Sequence, residues 1–556
     1  MATLIVSPVA ASSDQILLDA INPRQERRFA VAVVTLLTVF AVAIHGYHPY
    51  AEDGGPYITG IKHALAPSLY PHWFEFVAGH PRFSFFAGSI AALVKISHLN
   101  LEVVLLLMQF ASYWITLFAG WHLAALCYAE RQARTGATAL LATWLTLPIA
   151  GTSILLMDPY VTARSISTPC ALLALVGVGI FLRPQQLSQN RRSQGLVLCC
   201  GALIVAGTAH PLMAAYALGW VLIFACQLSD KKSVRKWGTL GLVLLAIAMA
   251  WGVQLSGARE TDSYLQAEMT RSYWFLANWT WYEQIGLFAP LAILATVACR
   301  SPRENKIMIA LARMAIISSL TAVVVVLLFG RAEAASHIVA WLQPLRILQI
   351  AYVLMTLGLG AALGERFLKR SRLRWLVVFA SLAGIMLFAE RQTFPASAHL
   401  ELPGLPPSNP WEQAFLWIRF NTSQEALFAL DSDYITKPAE DAQNFRAISE
   451  RSALPDYTKD GGDAANNPKL SSSWVEVQSA QKQLSAESDA RRMSKLKPLG
   501  VDWVVLERGS VTSFSCFYTN TAVKVCRLPD HPAINEASQS PGPNTSASAS
   551  AIARLP

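Results

Sequence analysis

The sequence predicts a mainly α fold, a polytopic transmembrane helical domain of about eleven spans followed by a small C-terminal extracytoplasmic α/β domain. Three observations predict it. Apolar residues make up 53% of the chain and charged residues only 15%, and the mean hydropathy is +0.36. The apolar runs stop near residue 390, and 391–556 is polar and reads as a soluble chain. The Lys and Arg gather in short clusters between apolar runs, which is how membrane topology is encoded. That distribution turns the net charge of +9 away from nucleic acid, which is excluded as a partner.

The first run, Phe29–Gly46, is 18 residues without Asp, Glu, Lys or Arg, just long enough to cross a bilayer. Arg24, Arg27 and Arg28 precede it, so residues 1–28 are expected to form a cytoplasmic segment. Further spans are expected at 101–128, 135–156, 167–182, 195–209, 211–228, 237–256, 283–299, 307–329, 345–362 and 375–390. The segment 83–98 is short and contains Lys95, and reads as an interfacial or re-entrant helix. Six basic clusters (Arg24/Arg27/Arg28, Arg131/Arg134, Arg183/Arg191/Arg192, Lys231/Lys232/Arg235/Lys236, Arg300/Arg303/Lys306 and Arg366/Lys369/Arg370/Arg372/Arg374) then fall on one side. The N-terminus is inside and the C-terminal domain outside, as in an integral protein of a bacterial inner membrane.

Within this membrane domain, 29–390, the outer loop 47–100 is the functional candidate. Residues 391–410 form a Pro-rich linker. In the C-terminal domain, 411–529, WEQAFLWIRFNT reads as an amphipathic helix, EALFALDS and VDWVVLE as buried strands, and the stretch ending at Gly500 as a helix. Cys516 and Cys526 flank FYTNTAVKV and suit a cross-hairpin disulfide in an oxidising compartment. The Ser-, Pro- and Ala-rich tail 530–556 is expected to be disordered.

Candidate chemistry lies in the outer loops, where ionisable groups meet the membrane boundary. The pair Glu52-Asp53 follows the first span. Asp53 is either a general base for an acceptor hydroxyl or the cap of a helix opening at Gly54-Gly55-Pro56. His48 and Tyr57 flank it as substrate-binding candidates. In the second loop Arg164 either holds a phosphate through its planar fork or closes a turn with Asp158. His210 sits at an outer turn and either assists proton transfer or marks the interface. Arg346, after Pro344, is either a ligand for a lipid phosphate or an interfacial anchor. The aromatics of 257–286 read as a membrane belt or as stacking surfaces for a sugar or isoprenoid. No zinc-ligand spacing is present.

Taken together, the first span with its N-terminus inside, the acidic pair opening the outer loop and the strings HPYAEDGGPYITGIKHALAPSLYP, DPYVTARSISTP and WLQPLRILQ resemble the GT-C superfamily of integral-membrane glycosyltransferases over residues 29–390. The order here is Glu-Asp where many members have Asp-Glu. The resemblance implies a polyprenyl-phosphate sugar donor, membrane lipid and a glycan or lipid acceptor as partners, Asp53 as base with Glu52 beside it, and Arg346 or Arg164 on the donor phosphate. It leaves the cofactor unknown and a divalent metal open. The expected function is sugar transfer on the outer face of the membrane. The alternative is a non-catalytic lipid-linked glycan transporter or membrane scaffold.

Overall fold

The computed structural model describes residues 23–79, 84–182, 189–302 and 305–529. Most of the expected N-terminal segment, Arg183, Arg303 and the tail 530–556 lie outside the described residues. The membrane part begins with α1 (Pro23–His45), α2 (Gly54–Leu65), α3 (Phe86–Ser97), α4 (Leu101–Cys127), α5 (Arg131–Thr143) and α6 (Arg164–Phe181). It continues through α7 (Gln189–Ala209), α8 (Pro211–Leu228), α9 (Thr239–Ser256), α10 (Asp262–Met269), α11 (Trp281–Arg300), α12 (Lys306–Phe329), α13 (Leu348–Ala362) and α14 (Arg372–Thr393). Among the described residues, 10 helices are long and apolar enough to cross a membrane. α9 and α14 leave large apolar side chains exposed, among them Leu244, Met249, Trp251, Leu376, Ile385 and Phe388. Such a surface suits hydrocarbon, not water.

The expected span at 135–156 takes a different form. α5 has 13 residues, about 20 Å of helix, short of the roughly 30 Å hydrocarbon core. Pro148 and Gly151 then stop any helix, Ala150 and Ser153 turn with positive φ, and a bridge between Pro148 and Leu155 folds the chain back on itself. The chain still has to return here, because α4 and α6 run parallel. Gln109 of α4 donates to the Asp158 carbonyl just before α6, and Leu126 near the end of α4 lies against Gly179 near the end of α6. The return is therefore a half-helix plus buried irregular chain, tolerated at membrane depth only inside protein. α5 packs on α13 through glycines, and a Cβ on Gly360 would sit 2.4 Å from the Gly136 carbonyl oxygen, the close approach that small-residue seams permit. α3, at 12 residues, is too short to span, as expected for 83–98.

The C-terminal domain adds α15 (Pro410–Asn421), α16 (Lys459–Asn466), α17 (Ser471–Gln481) and α18 (Asp489–Leu496) to a five-stranded sheet. Its strands are β1 (Leu427–Ala429), β2 (Ser452–Ala453), β3 (Trp503–Glu507), β4 (Ser515–Thr519) and β5 (Val523–Arg527), in the order β2-β1-β3-β5-β4. β1 pairs in parallel with β2 and β3, and β5 is antiparallel to β3 and β4. Cys516 and Cys526 face each other across β4 and β5 and are disulfide-bonded.

The end of α1 is fastened to the segment after α14. The Tyr47 amide donates to the His399 carbonyl and the Glu401 amide to the Tyr47 carbonyl. His48, fully buried, has Nε2 2.9 Å from Glu390 and Nδ1 2.8 Å from Glu401, and its ring stacks on Phe394. Burial opposes charge on this imidazole, but the two carboxylates outweigh it and raise its pKa above the ordinary 6.5. A raised histidine pKa stabilises the fold fully below pH 6.5 and less as pH rises through the folded-state value. Thermal unfolding of the detergent-purified protein is expected to show His48→Gln destabilised by about 3–5 kcal/mol below that pH. The gap to wild type should narrow as the pH is raised; a pH-independent gap would remove the charged clamp.

Candidate active site

The first outer loop turns sharply into α2. Glu52 adopts φ +47°, costly for a residue with a Cβ. Gly54 and Gly55 let the chain press close, since a Cβ on Gly54 would meet the Pro49 carbonyl oxygen at 2.3 Å and one on Gly55 would meet Asn444 of the C-terminal domain at 2.2 Å. Asp53 occupies the position before α2, yet its side chain makes no capping hydrogen bond. The capping reading is thereby answered, because the carboxylate points elsewhere.

It meets two cations. Arg164 donates from Nη1 and Nη2 to Asp53 Oδ2 at 3.2 and 3.1 Å, and from Nε and Nη2 to Asp158 Oδ2 at 3.1 and 2.9 Å. Asp158 is buried, and its backbone carbonyl accepts from Gln109 and Tyr113 of α4. Burial pushes the Asp158 carboxyl up against the pull of Arg164. The second cation comes from the far end of the chain. Lys459, the first residue of α16, reaches Glu52 Oε2 at 2.5 Å and Asp53 Oδ1 at 3.3 Å. Burial alone would lower the lysine, but Glu52 and Asp53 hold it above the ordinary lysine range.

Asp53, Arg164 and Lys459 line a cavity of about 530 Å³ together with Tyr57, His210, Arg271, Tyr273, Trp274, Trp341, Gln343 and Arg346. Tyr57 packs edge-on against Phe86, and burial pushes its phenol up to about 12. Arg346 is buried and, among the described residues, no ion pair holds its guanidinium; its Nε has no hydrogen-bond partner. A second cavity, of about 670 Å³, lies at the opposite ends of the helices, between Glu130, Arg300, Asn305 and Arg366. Glu365 lines it as well, but among the described residues no ion pair joins these carboxylates and guanidinium groups.

Of the sequence-predicted site residues, Asp53, Tyr57, Arg164, His210 and Arg346 meet at one cavity, with Glu52 and Asp158 immediately behind it. His48 is not among them, because the Glu390–Glu401 clamp holds it away from the cavity. Arg164 pairs with both aspartates, so the Asp158–Arg164 ion pair is present and extends to Asp53. Sequence reasoning missed Arg271 and Lys459. Arg271 stood in the aromatic third loop and its neighbours Tyr273 and Trp274 marked it; nothing local signalled that Lys459 would reach across about 400 residues.

No protein-family model and no curated relative matches the sequence. Among solved structures, the fold is similar to the Archaeoglobus fulgidus oligosaccharyltransferase, with 12% identity, a TM-score of 0.47, and coverage of 86% of this chain and 69% of that one. It is also similar to the mycobacterial arabinofuranosyltransferase AftD, with 14% identity, a TM-score of 0.45, and coverage of 92% of this chain and 42% of that one. Superpositions this loose fix no residue correspondence.

Removing Arg164 strands the buried Asp158 charge. Arg164→Met is expected to lose about 3–5 kcal/mol of stability, and adding Asp158→Leu should recover most of it. Asp53→Asn, at a partly exposed position, should change stability by less than about 1 kcal/mol. Thermal denaturation of the three variants in detergent checks this, and an Arg164→Met protein as stable as wild type would contradict it.

Proposed function

We propose that this protein is a membrane glycosyltransferase that moves a sugar from a polyprenyl-phosphate donor to an acceptor hydroxyl, on the face of the membrane that carries the C-terminal domain. The observation that supports this best is Arg346, a buried guanidinium without a carboxylate partner, lining the same cavity as the Asp53 carboxylate. A buried cation needs an anion, and Arg matches a phosphate through two parallel hydrogen bonds. The cavity volume is in the range of small-ligand sites, and Tyr273, Trp274 and Trp341 offer aromatic surface for a sugar ring.

In this reading Asp53 accepts the proton of the acceptor hydroxyl as its oxygen bonds to the anomeric carbon. The bond from that carbon to the phosphate oxygen breaks on the opposite side, with inversion. The lipid phosphate leaves with the electron pair, and Arg346 and Arg271 stabilise its charge. A lipid phosphate is a good leaving group, so no protein acid is needed there. Arg164 orients Asp53, and Lys459 would shift onto Glu52 as the acceptor arrives. The basic ends of the helices lie opposite this cavity, with Arg131 and Arg134 beside Glu26 of α1 and Arg300 and Arg366 around the second cavity. By the positive-inside rule that face is cytoplasmic and the site extracytoplasmic.

The competing reading, a transporter or scaffold, draws on the fact that both Asp53 oxygens already meet cations. Transfer of labelled sugar from purified polyprenyl-phosphate donors to membrane extract separates the two. Asp53→Asn is expected to lower transfer about 10²–10⁴-fold and Arg346→Met about 10²–10³-fold, both in protein that remains folded. Equal transfer by wild type and Asp53→Asn would remove the base. No transfer with any donor, in extract supplying active acceptor to a control enzyme, would favour transport or assembly.

A further inference from the structure

Outside this cavity, a second set of converging ionisable groups has no part in the proposed reaction. Glu260 lies in the turn after α9, Glu268 on α10, and His337 between α12 and the turn that carries Trp341 and Gln343. One donor atom from each lies within 4.8 Å of the others. His337 Nδ1 is 2.6 Å from Glu260 Oε2 and 3.1 Å from Glu268 Oε2, and its backbone amide donates to Glu260 Oε1 at 2.5 Å. The other ring nitrogen, Nε2, lies 3.0 Å from the Ala332 carbonyl oxygen. A carbonyl can only accept, so Nε2 carries the hydrogen, and in the neutral ring the lone pair is on Nδ1, aimed between the carboxylates. This is the arrangement that metal-ligating histidines adopt, with one nitrogen on the metal and the other donating to an oxygen.

Two further observations point to a cation. Glu268 is wholly buried, and its Oε1 has no hydrogen-bond partner. A carboxyl oxygen left so in the interior is costly unless something fills its coordination. Charge gives the second. Among the described residues no Lys or Arg ion-pairs with either glutamate. A divalent cation held by two carboxylates and a neutral imidazole would be charge-balanced without one. Zinc takes nitrogen and carboxylate oxygen at about 2.0–2.2 Å in a tetrahedral set, which places donors about 3.3 Å apart, within small side-chain shifts of the present spacing.

We infer that Glu260, Glu268 and His337 form a zinc site that ties the third outer loop to the segment before α13. It is separate from the sugar-transfer reading and stands if that reading fails. The tie would act on the cavity from behind. Tyr264 of α10 donates to the Ala465 carbonyl, and Trp341 donates to Asn466 at 2.8 Å. Both partners lie at the end of α16, whose first residue is Lys459. The site therefore orders the aromatic wall and the helix that supplies the cavity's lysine without touching the reacting atoms.

The test is elemental analysis of the full-length, detergent-purified protein after stripping with a chelator and reloading with zinc, paired with thermal unfolding. Wild type is expected to hold one zinc per chain and to unfold at a higher temperature when loaded. Asp53→Asn should bind the same amount, which separates this site from the Asp53 cavity. His337→Ala and the near-isosteric Glu268→Gln should each weaken zinc binding by about tenfold or more and lose the thermal response. Glu268→Gln keeps the test valid if His337→Ala fails to fold. Wild type that takes up no zinc on reloading, zinc retained by Glu268→Gln at wild-type affinity, or zinc lost in Asp53→Asn would each overturn the proposal.

Discussion

The buried guanidinium of Arg164 is the constraint around which the rest is arranged. It opens α6, holds Asp158 six residues back, and reaches the loop after α1 to hold Asp53. Asp158 is in turn fixed through its carbonyl to α4. Two membrane helices, α4 and α6, and the first outer loop thus converge on one charged group. Only arginine fits there, since Nε and Nη2 serve one carboxylate while Nη1 and Nη2 serve the other, and a lysine has no such fork. The cost of burying this charge is offset chiefly by Asp158, the carboxylate buried with it. The position of Asp53 is therefore a consequence of how α4, α6 and the intervening return segment pack.

The C-terminal domain completes the site instead of sitting beside it. Lys459 is aimed by its own neighbours. Asp456 accepts from the Lys459 amide at 2.6 Å, and Asp460 takes two hydrogen bonds from Arg446, at 2.7 and 2.9 Å. The domain is held to the first loop by Lys62–Glu450 at 2.8 Å, a contact in which the lysine is buried, and by the tight approach of Gly55 to Asn444. Docking and site assembly are thus one event.

Much of this was legible in the sequence. The apolar runs located most of the spans because hydrocarbon imposes a minimum length and forbids charge, and in the C-terminal domain α15, α18, β1 and β3 followed from their periodicity while α16, α17 and β2 did not. The acidic pair, Arg164, Arg346 and His210 were identifiable because ionisable groups at a membrane boundary are few. The span expected at 135–156 is not a single helix, since mean hydropathy records burial and is blind to whether protein or lipid does the burying. Which candidates meet was also invisible. His48 and Asp53 are five residues apart and serve different structures, while Lys459 and Asp53 are in contact. Such pairing is decided by tertiary docking, which leaves no periodic trace.

Two histidines in this chain each sit between two glutamates, and their ring geometry gives them different chemistry. His48 gives one nitrogen to Glu390 and the other to Glu401. Both nitrogens then serve as donors to carboxylates, which requires the imidazolium and makes an ionic clamp between the first and last spans. His337 crowds both glutamates onto Nδ1 and turns Nε2 to a carbonyl. A single N–H cannot serve two carboxylates as well as two N–H groups can, and a carbonyl on the far side fixes the tautomer that frees Nδ1 for a cation. The same two residue types thus build a proton-held clamp between the first and last spans and a metal-ligand set beside α10, and the direction of one ring separates them.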